Sequence, residues 1–160
     1  MISFPFFKQL STKDCGPTCL RMVAEYYGRH YNIDGLRQIA GYCKEGTSLL
    51  GINEAAEKIG FRTRAVQLTS EQLINDAHLP CILHWDQKHF VVLASVDRPF
   101  FSKTGSLLVA DPAKRLITYS KEELLQHWAS TVNDDQNPVG TVLLLEPTPD
   151  FFEQKGDKSL

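Results

Sequence analysis

The sequence predicts an α+β fold, with an N-terminal helical part packed on a C-terminal antiparallel β-sheet. Three observations carry this. Residues 15–60 repeat apolar side chains at helical spacing between capping residues and glycines. The second half breaks into short runs rich in Val, Ile and Leu, separated by turn residues. The chain has 160 residues, 42% apolar and 22% charged, which suits one soluble domain with a real core.

The first helix opens at Asp14-Cys15-Gly16-Pro17, runs through Leu20, Met22, Val23, Tyr26 and Tyr27, and stops at Gly28. Asp14 is expected to cap it. Asp34 can cap a second helix over Leu36, Ile39 and Ala40. Ser48 can cap a third over Ile52, Ala55, Ala56 and Ile59, closed by Gly60. Residues 61–68 alternate as a strand, and Thr69 with Gln72 forms a capping box for a short helix. Further strands are expected over 80–83, 90–96, 106–110 and 141–145, with Lys103-Thr104-Gly105 turning the chain between the second and third of these. Ser120 and Glu123 form another capping box, opening a helix over 120–128. From Glu146-Pro147-Thr148-Pro149 onward the chain becomes proline-rich and then polar. It reads as one domain over 1–147 followed by a linker over 148–160.

The net charge of −2 argues against a nucleic-acid binder driven by phosphate attraction. No apolar run reaches the roughly 18 residues of a membrane span. The start, Met1-Ile2-Ser3-Phe4-Pro5, lacks the basic and apolar regions of a signal peptide. A reducing compartment and free thiols are therefore expected for Cys15, Cys19, Cys43 and Cys81, which show no paired framework.

The chemistry centres on Cys15, in the first turn of a helix, where the helix dipole favours the nucleophilic thiolate. Nucleophilic catalysis also needs a base, a group to orient it and an oxyanion donor. His89 stands at the mouth of the apolar strand Phe90-Val91-Val92-Leu93 and is the candidate base. Asp111 ends the next strand. If the two strands are hairpin partners, Asp111 lies beside His89 and accepts its Nδ1–H. Gln9, just ahead of Cys15, offers a side-chain amide which, with the Cys15 backbone N–H, can hold the oxyanion.

Other residues read more plainly. Cys19, one turn after Cys15, reads as a core thiol, as do Cys43 and Cys81. His84 competes with His89 for the base role but lacks a following apolar strand. Cys81, His84 and His89 match no tetrahedral zinc spacing, so no metal is expected.

Taken together, Gln9, Asp14-Cys15-Gly16-Pro17, Tyr26-Tyr27-Gly28, His89-Phe90-Val91-Val92 and Asp111-Pro112 resemble the bacteriocin-processing cysteine peptidases. These are papain-like domains at the N-terminus of peptidase-containing ABC transporters. The resemblance covers the chain from Gln9 to about Glu146 in the same order. It implies a papain-like fold, with Cys15 as nucleophile, His89 as general base, Asp111 as orienting acid and Gln9 as oxyanion donor. It implies a leader peptidase that cuts secreted precursors after a Gly-Gly or Gly-Ala pair, with an amphipathic leader helix docked in an apolar groove. The resemblance also implies the transmembrane and nucleotide-binding domains of an exporter as partners, on the cytoplasmic side of a bacterial membrane. No cofactor is expected in this domain, and ATP and Mg only in the rest of a full-length transporter. The isolated domain is expected to be a monomer that binds no nucleic acid. A leader-binding domain without activity and a different papain-like amidase or acyltransferase are the competing readings. The 96–106 stretch is long for the hairpin it spans, leaving open a contact with substrate or partner. Gly46-Thr47-Ser48 reads as a cap.

Overall fold

The computed structural model describes residues 4–41, 46–97 and 105–154. Three helices come first: α1 (Cys15–Tyr26), α2 (Ile33–Ile39) and α3 (Leu49–Lys58). Strand β1 (Phe61–Thr69) and helix α4 (Ser70–Asp76) lead to β2 (Cys81–Trp85), β3 (His89–Asp97), β4 (Ser106–Ala110) and β5 (Leu116–Ser120). Helix α5 (Lys121–Trp128), strands β6 (Ala129–Val132) and β7 (Pro138–Pro147), and a short α6 (Pro149–Glu153) complete the chain.

The strands form one antiparallel sheet in the order β1-β7-β2-β3-β4-β5, with β6 also paired to β7. Side chains alternate across the pleat. Ile82, Phe90, Val92, Ala110 and Leu143 face α1, α2 and α3 in one core. Cys81, Leu83, Val91, Leu93 and Val142 face Leu73 of α4 and Leu124 and Trp128 of α5 in a second. Both faces of the central strands are thus covered, which explains their unbroken apolar runs. The α+β class holds, but the helices are split between the two faces rather than gathered on one.

Local signals placed most boundaries. The Ser48 side chain accepts from the Gly51 N–H at 3.1 Å, and both capping boxes, Thr69 with Gln72 and Ser120 with Glu123, are made in full. Two caps fall elsewhere. Helix α2 starts from Asn32, and Asp34 sits in its first turn, paired with Arg37 at 2.9 Å. Asp14 flanks α1 but makes no side-chain cap bond. Strands β5 and β6 were not expected: β5 alternates weakly, and β6 is four residues, mostly exposed. Strands β3 and β4 are hairpin partners, with Asp97 opposite Ser106. Their expected turn at 103–105 lies almost wholly outside the described residues, as does Cys43.

The expected linker over 148–160 is corrected over 148–154, and its remainder lies outside the described residues. The chain stays folded to Gln154, because Thr148 N–H donates to the Gly60 carbonyl at 3.0 Å and Phe151 is fully buried against Phe61. Of the prolines that suggested a linker, Pro149 opens α6, where a missing N–H costs nothing, and Pro147 ends β7. Gly60 has φ +107°, and a Cβ there would lie 2.4 Å from the Phe151 Cα, so only glycine admits α6 at this distance. No helix among the described residues is long and apolar enough to cross a membrane.

Candidate active site

Cys15 is the first residue of α1 and is 8% exposed. The apolar face of α1, with Cys19, Leu20, Met22 and Val23 fully buried, fixes the helix against the sheet. The nucleophile candidate is therefore held by core packing, with its sulfur at the helix end.

His89 opens β3, opposite Trp85 in the β2–β3 hairpin. The turn runs through Asp86 and Gln87, both at positive φ, and the Lys88 N–H closes it on the Trp85 carbonyl at 3.2 Å. This three-residue loop, Asp86-Gln87-Lys88, sets the register that puts His89 at the strand mouth. Helix α5 braces the turn: the Asp86 N–H donates to the His127 carbonyl at 2.7 Å, and the His127 ring stacks on Trp85.

Asp111 follows Ala110, which pairs with Val92 of β3. The hairpin thus brings the end of β4 alongside the start of β3. His89 Nε2 lies 2.7 Å from Asp111 Oδ1, and the Asp111 carboxyl is 2% exposed. The same oxygen accepts the Ala113 N–H at 2.9 Å. The contact is made by Nε2, not by Nδ1 as expected. The ring reaches across to β4 with its far nitrogen, so Nδ1 is the ring atom left to face Cys15, which lies close enough to act on the ring's charge. Cys15, His89 and Asp111 form one chain of neighbouring side chains, in which His89 and Asp111 are 2.7 Å apart.

Electrostatics follow from that chain. Burial works against a charged His89 ring, but hydrogen bonds to Asp111 and Cys15, and their charges, outweigh it and push the ring up to about 9. Burial alone would raise Asp111, but the His89 and Ala113 hydrogen bonds and the His89 and Lys114 charges hold it below the ordinary carboxylate value. A charged imidazole is therefore the resting form at neutral pH. Cys19 is fully buried, and burial, with the Cys15 and Asp111 charges, pushes its thiol well up, as suits a core thiol.

Gln9 joins the same neighbourhood from the N-terminal segment. Its N–H donates to the Pro112 carbonyl at 2.8 Å, tying it to the turn after Asp111. Its Oε1 is buried without a hydrogen-bond partner. Gln9, His89 and Asp111 line a cleft of about 420 Å³, whose wall also takes in Thr12, Trp85 and Lys88. The last three were not picked out for a cleft in the sequence; the register of the hairpin brings Trp85 and Lys88 there, and the N-terminal segment that carries Gln9 brings Thr12. His84, the competing base, faces Phe90 across the hairpin with ring centroids 5.1 Å apart, and burial lowers its titration point. Among the described residues no group of three His, Cys, Asp or Glu side chains could hold a metal.

With this geometry, comparison with known proteins is decisive. The profile of the peptidase C39 family matches residues 3–133. The chain belongs to the peptidase C39 family. Among relatives in that family, it is 36% identical over 124 residues to the colicin V secretion/processing ATP-binding protein CvaB of Escherichia coli, covering 78% of this chain and 17% of that protein. It is 29% identical over 158 residues to the transport/processing ATP-binding protein ComA of Streptococcus pneumoniae, covering 94% of this chain and 20% of that protein. This chain therefore spans about a fifth of the length of the curated relatives it matches. A crystal structure of a double glycine motif protease from an AMS/PCAT transporter, in complex with the leader peptide, superposes with a TM-score of 0.73 at 28% identity, covering 90% of this chain and 91% of that one. The peptidase domain of Streptococcus ComA gives 0.72 at 30% identity, covering 91% and 100%. The papain-like C39 peptidase fold expected from the sequence is thus the one observed.

Proposed function

We propose that this domain is a cysteine endopeptidase that removes double-glycine-type leader peptides from secreted peptide precursors. The observation that carries the reading is the continuous Cys15–His89–Asp111 chain in a member of the C39 family. The similarity to a protease solved with its leader peptide supports the substrate class.

In this reading the Cys15 thiolate attacks the carbonyl carbon of the scissile bond while His89 carries the proton. The Cys15 N–H and the Gln9 amide hold the developing oxyanion. His89 gives its proton to the departing amine as the C–N bond breaks, leaving the leader on Cys15 as a thioester. Water then attacks the thioester, His89 takes a proton from it, and the leader leaves with a free carboxyl end. Asp111 keeps the ring oriented and stabilises its charged form throughout. Small residues before the cut suit a narrow passage beside Cys15, and the leader docks as an amphipathic helix.

The relatives' names, a secretion/processing and a transport/processing ATP-binding protein, support a place in an ABC exporter. In this reading the domain acts on the cytoplasmic side before export, with transmembrane and ATP-hydrolysing domains as its partners. No metal or other cofactor takes part in the domain itself. The test is to mix the domain with a Gly-Gly leader precursor and follow cleavage by mass spectrometry, with Cys15→Ala and an EDTA-treated sample alongside. Wild type and the EDTA sample should cut after the small pair, and Cys15→Ala should bind without cutting. Binding without cutting by wild type would make this a leader-holding domain. Cutting indifferent to the two small residues would make it a different papain-like amidase.

A further inference from the structure

Asp14, beside the nucleophile, behaves unlike three other residues that precede helices in this chain. Ser48, Thr69 and Ser120 all turn their side chains onto the helices they precede. Asp is as good a cap as any of these. Yet Asp14 has φ −95° and ψ 4°, outside the extended region the others occupy, and makes no cap bond. Its carboxylate is fully buried and faces away, toward α2. Arg37 Nε donates to Oδ1 at 2.8 Å and Arg37 Nη2 donates to Oδ2, while the Ser11 N–H donates to Oδ2 at 3.1 Å. A planar guanidinium forked onto a carboxylate fixes direction as well as charge.

The diversion matters because of what the first turn of α1 exposes. The opening N–H groups of a helix have no partner within it. Here position three is Pro17, which has no N–H, so the open donors of α1 are those of Cys15 and Gly16. A carboxylate capping this helix would accept from the Gly16 N–H. It would set a full negative charge where the oxyanion must develop.

We propose that Arg37 is a positioning residue for the peptidase reaction: by holding both carboxylate oxygens of Asp14, it keeps that charge off the start of α1 and leaves the Cys15 and Gly16 N–H groups open. The proposal rests on the peptidase reading above. Burial by itself would raise Asp14, but the Arg37 hydrogen bonds and charge and the Ser11 bonds lower it, so the group Arg37 restrains is a charged carboxylate.

The test uses four proteins with the leader precursor: wild type, Arg37→Met, Asp14→Ala, and the double variant Asp14→Ala/Arg37→Met. Arg37→Met should lower kcat about 100-fold, the cost of a lost oxyanion donor, with KM changed by less than about three-fold. Asp14→Ala should stay within about five-fold of wild type. Adding Asp14→Ala to Arg37→Met should restore kcat at least about ten-fold, because the offending charge is gone. A merely structural bridge gives no such rescue: a double variant that is folded by its melting curve yet as slow as Arg37→Met overturns the proposal, as does an Arg37→Met enzyme at full kcat. If the double variant does not fold, Arg37→Lys decides: it should lose kcat by an intermediate factor at unchanged KM, and wild-type kcat overturns the idea. Alkylation of Cys15 by iodoacetamide needs no leader. Its rate should fall in Arg37→Met and recover in the double variant even if no precursor is cut, which separates failure of this inference from failure of the peptidase reading.

Discussion

The substitution Asp111→Asn removes a charge while keeping an oxygen that accepts from His89 Nε2. In the native protein His89 titrates at about 9 against an ordinary value of 6.5, because the Asp111 and Cys15 contacts outweigh burial. At pH 8 about nine-tenths of the rings are therefore charged, whereas a ring returned to 6.5 would be about 3% charged at that pH. The ratio, about 30-fold, bounds the loss of kcat/KM at pH 8, since Cys15 still supports the charged ring in the variant. The assay is kcat/KM for leader cleavage between about pH 5.5 and 10. The alkaline limb should lie near 9 in wild type and move toward 6.5 in Asp111→Asn, with activity recovered on lowering the pH. An alkaline limb that stays where it was, within about 0.3 pH units, would refute the claim that Asp111 holds the charge on His89.

The same pairing acts on folding. The raised value of His89 contributes stability that is complete below about 6.5 and is lost as pH rises through about 9. The lowered value of Asp111 contributes stability above 3.8 that is lost as pH falls through its folded-state value. A urea-unfolding series should therefore show wild type losing more stability than Asp111→Asn both above about pH 8 and on strong acidification, and parallel curves would count against the pair. His89→Ala should slow iodoacetamide alkylation of Cys15 at pH 7 by at least about ten-fold, and an unchanged rate would separate the two side chains. Phe151→Ala should cost about 3–5 kcal/mol, since a fully buried ring in the α1-side core is removed. Gly60→Ala should cost more than about 1–3 kcal/mol, because a positive φ and a clash with the Phe151 backbone act together. Wild-type melting curves for both would return residues 148–154 to linker status.

Much of this protein was written locally. Ser48, Thr69 with Gln72, and Ser120 with Glu123 start their helices with atoms three residues away, so the sequence alone places them. The triad candidates were legible for a related reason: a histidine at a strand mouth and an aspartate ending the next strand are positions that hairpin pairing brings together, and a thiol at a helix start carries its own local signal. The tertiary structure decided what depends on partners far along the chain. Which nitrogen of His89 meets Asp111 is settled by how the ring reaches across to the end of β4. Asp14 looked like a cap until Arg37, 23 residues on, claimed its carboxylate. Residues 148–154 joined the folded domain because Phe151 finds Phe61 and Tyr27, which are remote in sequence. Sequence patterns report contacts within a turn of helix or across one hairpin. Charge pairing and core closure are settled only when distant elements meet, and here that meeting turned a capping residue into the partner of an arginine beside the nucleophile.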